Sequence, residues 1–472
     1  MVAPFYEPLS YLDASFLALE TRTTHMHVGS VILFEAGPLR REDGGIDVDR
    51  IKAHIAGKLK YVPRYRQRLG YVPYNRHPVW IDDDSFNFDY HVRHTSLPRP
   101  GSDAQLKALA GRVFSQQLDR SKPLWELWVV EGLEGDRFAM IAKVHHCMID
   151  GLSGVDLTTV MFGLAPSSEI EPADDWKPRR VPTPAELAVA ELARTARRLA
   201  DQVQGLGDMV REGGRLVEGA LRRLAAVGST LSSGWLTPAD RTPLNPEIGP
   251  NRRFEWVDLP LDAAKSVKNQ RGGTVNDVVL ATVAGAVRTF LEEERDFGCD
   301  DLDFRVMAPV SVRSPRERGR MGNRVAMWLV PLPVSEPDPL TRYEKVKAQT
   351  AKLKRTDQAL GAATLVELSS GTPIPLLSMA NRLVANTVRP FNMTVTNVPG
   401  PQFPMYLLES RMLATYPIVP LWAQHGLGVA LFSYDGTLWW GLNADYDAVP
   451  DVDRFAEAVR RSFGELVDAA AG

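Results

Sequence analysis

The chain has 472 residues, 44% of them apolar and 24% charged, with 55 Lys plus Arg against 58 Asp plus Glu for a formal net charge of −3. That composition supplies packed cores for roughly two to three domains and excludes global disorder, and the near-neutral balance argues against a dedicated nucleic-acid binder. Two cysteines, Cys147 and Cys299, exclude a disulfide scaffold and a multi-cysteine zinc or iron–sulfur site, and suit a reducing compartment. No run approaches the ~18 apolar residues of a spanning helix, and residues 1–20 lack the basic-then-apolar layout of a signal peptide. A cytoplasmic protein is expected, with peripheral membrane contact left open.

The first third reads as mixed α/β. Residues 28–34 form an apolar run suited to a strand. Val48, Ile51, Ile55 and Leu59 recur at helical spacing after Asp47, an N-cap residue. Leu106, Leu109 and Val113 mark a second helix, and residues 137–144 alternate as a strand with one buried face before running into His145-His146.

Residues 165–184 then hold five prolines and no period, the signature of a linker. Beyond them Leu199, Val203, Leu206, Val210, Val217 and Leu224 predict a narrow apolar helical stripe. It is accompanied by seven arginines (194, 197, 198, 211, 215, 222 and 223) on what reads first as a solvated face. From about residue 254 the pattern is again α/β. Thr274 and Asp277 have capping-box spacing. Residues 393–398 read as a strand closed by Pro399-Gly400-Pro401, and Asp435-Gly436 between two alternating runs predicts a hairpin. Val452, Phe455, Val459, Phe463 and Leu466 predict a final amphipathic helix. The expected layout is a first lobe over 1–164, a Pro-rich and helical linker over 165–253, and a second lobe over 254–472.

The sharpest chemical feature is the run His145-His146-Cys147-Met148-Ile149-Asp150-Gly151. Consecutive side chains on a strand point to opposite faces, so one histidine can face a cavity while the other packs or bonds behind it. Histidine suits proton transfer near neutral pH, and Asp150 and Gly151 permit a sharp turn into a following helix. Adjacent histidines diverge and no third ligand follows at a helical offset, so metal binding is the weaker reading. The chain has no Gly-x-Ser-x-Gly elbow and no Gly-rich phosphate loop. Cys147, between apolar neighbours, reads as a buried, inert thiol.

His-His-x-x-x-Asp-Gly resembles the signature of acyltransferases of the chloramphenicol acetyltransferase-like superfamily. Four further segments sharpen the likeness: Leu9-Ser10 to Asp13 with Met26-His27-Val28-Gly29, then Pro123-Leu124-Trp125, then Asn276-Asp277, then Asn397-Val398-Pro399-Gly400-Pro401. Together they resemble the bacterial wax ester synthase/diacylglycerol acyltransferase family, particularly its actinobacterial triacylglycerol synthases.

The resemblance implies two acetyltransferase-like lobes around a central cleft or tunnel, joined by the helical linker. His146 would be the proton acceptor, His145 and Asp150 its supports, and Gly151 part of the turn. The substrates would be acyl-CoA and diacylglycerol or a long-chain alcohol, with no cofactor, no metal and no covalent acyl-enzyme. On their own residues, Pro123, Leu124 and Trp125 read as strand entry and packing. Asn276 and Asp277 read as helix start or site support, and Asn397, Pro399, Gly400 and Pro401 as a rigid turn at the lobe interface. A carrier-bound acyl donor, and a catalytically silent lipid-binding protein on the same fold, are the competing readings.

Overall fold

The computed structural model describes residues 6–148, 160–211, 237–311, 325–355 and 389–472. In chain order the strands are β1 (Glu7–Pro8), β2 (His27–Glu35), β3 (Gln67–Tyr71), β4 (Pro78–Asp82), β5 (Val92–Ser96), β6 (Trp125–Leu133), β7 (Arg137–His145), β8 (Arg252–Pro260), β9 (Phe304–Ser311), β10 (Val325–Leu332), β11 (Met393–Pro399), β12 (Tyr406–Leu407), β13 (Ser410–Ile418), β14 (Leu427–Tyr434) and β15 (Thr437–Asp445). The principal helices are α1 (Tyr11–Leu19), α2 (Val48–Lys58), α3 (Asp103–Ser115), α4 (Pro184–Arg211), α5 (Leu261–Arg271), α6 (Val275–Arg295), α7 (Pro339–Arg355) and α8 (Val452–Ala471).

Local chemistry accounts for the boundaries. The Asp47 carboxylate caps α2 by accepting from Arg50 N–H at 3.1 Å. Ser102 and Gln105 close a capping box on α3, and Thr274 and Asp277 do the same on α6. Asp435 and Gly436 both take positive φ (46° and 82°), as the tight turn joining β14 to β15 requires.

Two six-stranded sheets form the frame. The first has the order β12-β13-β2-β7-β6-β5 and the second β10-β9-β11-β14-β15-β8. Within the second, β11 runs parallel to both β9 and β14, while its other pairs are antiparallel. A small sheet, β1-β4-β3, flanks the first lobe. The core of the second lobe is built on α6, whose Val279, Val283 and Phe290 are fully enclosed among α8 and the sheet. Among the described residues no single helix is long and apolar enough to cross a membrane; α5 and α6 pass that test only as a pair bent by 103°.

The boundary expected at residue 254 does not separate the two sheets. The chain returns from the second lobe as β12 and β13 and pairs β13 antiparallel to β2 in the first sheet, before going back into the second as β14. This pairing covers an edge of β2 whose backbone groups would otherwise stay unpaired. The two sheets then meet tightly. A Cβ on Gly441 of β15 would lie 1.7 Å from the Pro417 carbonyl of β13, so only glycine fits there. Beside it Tyr416 stacks on Trp256 of β8 at 4.5 Å, and α3 packs against β8 with Gly111 at the contact. The apolar cluster around Val31, Leu106, Phe114, Trp256 and Tyr416 therefore belongs to both lobes.

Residues 165–183 contain no helix or strand and are fastened to the first lobe by ion pairs: Glu171 with Lys58 and Lys60, Asp174 with Arg66, and Arg179 with Asp82. The predicted linker helix begins as α4. The later part of its apolar stripe, Val217 and Leu224, lies outside the described residues.

Candidate active site

Three strand ends place the histidine pair. In the ladder between β2 and β7, His27 lies opposite His145, and Trp125 of β6 lies opposite Val144. The backbone N–H of His145 donates to Leu124 O at 2.9 Å, and that of His146 donates to Met26 O at 2.8 Å. Both neighbours of β7 thus grip the chain as it leaves the sheet into the 3₁₀ turn His146–Met148.

The two rings have different surroundings. His145 is buried, and its Nδ1 accepts from Cys147 N–H at 3.2 Å. Its Nε2 therefore carries the hydrogen in the neutral ring, and faces the Glu20 carboxylate at 3.6 Å. His146 is half-buried and stacks on Phe16 of α1, with ring centroids 3.9 Å apart and planes 27° from parallel. Its Nδ1 is enclosed and has no hydrogen-bond partner among the described residues. Burial, reinforced by the neighbouring His145, pushes the His146 pKa down to about 4, so the ring is neutral near pH 7. Burial pushes His145 the same way, against the pull of Glu20.

Cys147 is buried and its thiol is pushed well above the ordinary range by that burial, which leaves it unreactive as a thiolate. Asp150 and Gly151 lie outside the described residues. Among the described residues no group of three or more His, Cys, Asp or Glu side chains is arranged to hold a metal ion.

The other motif segments divide into frame and site. Pro123 and Leu124 are buried at the entry to β6, and Leu124 acts through its carbonyl on His145. Trp125 is enclosed between His91, stacked at 4.6 Å, and Tyr65, whose carbonyl accepts the indole N–H at 2.8 Å. Asp277 spends both carboxylate oxygens locally: one on Thr274 N–H and hydroxyl at 2.7 Å each, the other on the Thr350 hydroxyl at 2.6 Å. Asn276 instead meets Asn397 across the lobe, its Oδ1 accepting from Asn397 Nδ2 at 3.5 Å. Pro399, Gly400 and Pro401 end β11. Gly400 N–H donates to the Ser433 hydroxyl at 3.2 Å, and a Cβ on Gly400 would lie 2.3 Å from the Phe432 ring. The structure thus brings Pro123, Leu124 and Trp125 to the histidine turn, and Asn276 to Asn397.

Four residues of the histidine surroundings had been given no role from sequence: Phe16, Glu20, His27 and Arg120. Glu20 follows α1 with no local pattern to mark it. His27 sits inside one of the quoted segments, where only its pairing with His145 reveals its place.

The two lobes, with β12 and β13 completing the first sheet and a histidine turn at a sheet end, have the fold shared by acetyltransferases and condensation domains. The chain aligns with TRI3 trichothecene 15-O-acetyltransferase from Fusarium sporotrichioides at a TM-score of 0.61 and 12% identity, over 98% of this chain and 95% of that one. The starter condensation domain of rhizomide synthetase gives 0.59 at 13% identity, over 99% and 95%.

The sequence narrows this further: residues 9–279 match the wax ester synthase/diacylglycerol acyltransferase catalytic domain, and residues 321–467 match the WS/DGAT C-terminal domain. The chain belongs to the wax ester synthase/diacylglycerol acyltransferase family. It is 31% identical to the probable diacylglycerol O-acyltransferase tgs1 of Mycobacterium tuberculosis, over 97% of this chain and 95% of that protein. It is 32% identical to tgs2 of the same organism, over 97% and 98%. The wax ester synthase/diacylglycerol acyltransferase from Marinobacter aquaeolei VT8 superposes with a TM-score of 0.70 at 25% identity, over 99% of this chain and all of that one.

Proposed function

We propose that this chain transfers a long-chain acyl group from acyl-CoA to the free hydroxyl of diacylglycerol, and to fatty alcohols as a second acceptor, with His146 as general base. The observation that carries this reading is the half-buried, neutral His146 ring in a turn held by Leu124 and Met26. Two relatives named as diacylglycerol O-acyltransferases, each matched over nearly its whole length, support diacylglycerol as the principal acceptor.

An alcohol is a poor nucleophile until its proton is removed, and a neutral imidazole within hydrogen-bond reach can remove it. The hydroxyl oxygen attacks the thioester carbonyl as its proton passes to His146. The carbon–oxygen bond forms, the carbon–sulfur bond of the tetrahedral intermediate breaks, and the protonated imidazole returns its proton to the departing CoA sulfur. Direct transfer of this kind needs neither a serine nor a cysteine nucleophile, in keeping with the inert Cys147. The lipid acceptor would be collected at a membrane or lipid-inclusion surface.

The test is purified protein with labelled acyl-CoA and either diacylglycerol or a long-chain alcohol. Wild type should form the ester, and His146→Ala should lose at least about a hundredfold in kcat with its fold intact, the usual cost of removing a general base. Near-wild-type turnover in a folded His146→Ala protein rejects the mechanism. Ester formation only from a carrier-bound acyl donor rejects the donor, and none from any donor leaves a lipid-binding protein.

A further inference from the structure

Glu20 is a buried anion in a costly position. It is the C-cap of α1, its N–H bonded to Phe16 O at 3.2 Å. A carboxylate at a helix C-terminus opposes the helix dipole, so helix stability does not explain it. Burial would raise its pKa, yet the facing His145 and His27 rings outweigh that and hold it well below the ordinary carboxylate range.

Its partners converge from three elements. Arg120 neutralises the charge through Nη2 at 2.6 Å and Nε at 3.0 Å, both on Oε2, and anchors itself on Leu17 O at 2.8 Å. His27 Nε2, which accepts from Leu118 N–H at 3.4 Å, lies 3.2 Å from Oε1 as an electrostatic neighbour. His145 Nε2 faces Oε2 at 3.6 Å, an electrostatic contact longer than a hydrogen bond. On the far side of the same ring, Cys147 N–H occupies Nδ1. The His145 ring is thereby bonded at Nδ1 and faces the carboxylate with Nε2. Its Nδ1 contact reaches into the turn that begins at His146. The same short helix carries Phe16 against the His146 ring, so α1 reaches both histidines, one through each residue.

We propose that Glu20 is a positioning residue for the histidine pair: neutralised by Arg120, it locks His145 as the Nε2–H tautomer from behind and so fixes the turn that presents His146. The inference rests on the reading of His146 as the base. Glu20 touches no reacting atom in this scheme. Its effect passes through His145 and the Cys147 N–H to the geometry of the turn.

The experiment pairs kinetics with the ¹⁵N signals of the histidine rings. In wild type, His145 should show a protonated Nε2 and an unprotonated Nδ1. Glu20→Gln can still turn an oxygen toward Arg120 and His145, which share Oε2, but it removes the negative charge that favours a hydrogen on His145 Nε2. It should mix the tautomers of His145 and lower kcat by roughly ten- to a hundredfold, while KM for acyl-CoA stays within about threefold. Glu20→Asp, which keeps the charge, should recover part of the kcat. A wild-type His145 protonated at Nδ1 overturns the proposal whether or not the variants fold. So does a folded Glu20→Gln with wild-type kcat and an unchanged His145 signal. A fully active His146→Ala would instead reject the base assignment on which the proposal stands. An inactive His146→Ala beside a fully active Glu20→Gln rejects this inference alone.

Discussion

The side chain of Asn397, near the end of β11, reaches Asn276 at the start of α6, with Nδ2 and Oδ1 3.5 Å apart. The two residues are 121 positions apart in sequence and belong to separate motif segments. Asp277, next in line, has both oxygens engaged by Thr274 and Thr350, so of the Asn-Asp pair it is Asn276 that has a side chain left for a longer-range task. If the two asparagines act as one unit, their effects on activity will not add. Asn276→Ala and Asn397→Ala should each lower kcat/KM by about tenfold, and the double variant should cost little more than either. A full product of the two single losses in a double-mutant cycle would mean that they work independently.

Asp277 should behave in the opposite way. Asp277→Ala removes the reciprocal cap and leaves the Thr350 hydroxyl with Lys347 O as its acceptor, for a loss of about 1 kcal/mol in unfolding free energy. Specific activity of the folded fraction should stay near wild type. Denaturant unfolding checks the first part. A variant with unchanged stability and lost turnover would move Asp277 from the frame into the site.

The stack of Phe16 on His146 gives a third expectation. Phe16→Leu keeps an apolar side chain in a buried place but removes the flat face on which the imidazole rests. Activity should fall by roughly tenfold for a stability loss of only about 1 kcal/mol, as for other moderate changes of core shape. Unchanged kcat in Phe16→Leu would show that the ring orientation is set elsewhere, by the backbone bonds to Met26 and Leu124.

Most of the local architecture was legible before any coordinates. The helix after Asp47, the strand ending at His145, the capping box at Thr274, the Asp-Gly hairpin and the last helix all depend on short-range patterns: a cap, an alternation, a positive-φ pair. What sequence did not disclose is non-local. Nothing near residues 410–418 says that this strand will pair with β2 and close the first sheet, because the register depends on an edge supplied some 380 positions earlier. Glu20 and Arg120 were invisible for the same reason. Each is an ordinary charged residue in its own segment, and only the approach of α1 to the loop before β6 makes them a pair at 2.6 Å.

Histidines whose pKa is depressed by burial govern the acid side of stability. Burial pushes His27 down to about 3 and His91, His146 and His425 to about 4, from the 6.5 of a free imidazole. A group whose folded pKa is depressed binds more protons when unfolded, between the folded and unfolded values. Its contribution is therefore complete above pH 6.5 and is lost as pH falls toward 4. The melting temperature should be flat from about pH 7 upward with respect to these groups and should fall steeply between pH 6 and 4. Replacing His425, whose ring bonds to Ala423 O and Phe391 O, with Gln should flatten part of that slope. A slope centred on alkaline pH, or one untouched by the replacement, would contradict the assignment.

An enzyme of this family that takes diacylglycerol must meet a substrate that hardly dissolves in water. The first turns of α4 have two unlike faces. Leu187 is buried beside Val72, Val79 and Ile81 of the small sheet, and Glu191 is buried and paired with Arg194. On the other face Val189 and Leu192 are 68% and 59% exposed, with Arg197 exposed one turn further on. Apolar side chains beside a basic one can enter a lipid surface, with part of the attraction electrostatic. Val189→Glu with Leu192→Glu should leave the melting temperature within a degree or two, because both side chains are mostly exposed in the folded chain. Arg197→Glu with Arg198→Glu should weaken adsorption to anionic vesicles, and raising the salt should imitate it, since at 0.1 M charges act over only about 10 Å. Both changes should lower turnover of dispersed diacylglycerol and spare that of a short soluble alcohol. Wild-type protein that does not bind anionic vesicles, or variants that bind them unchanged, would place the lipid contact on another surface.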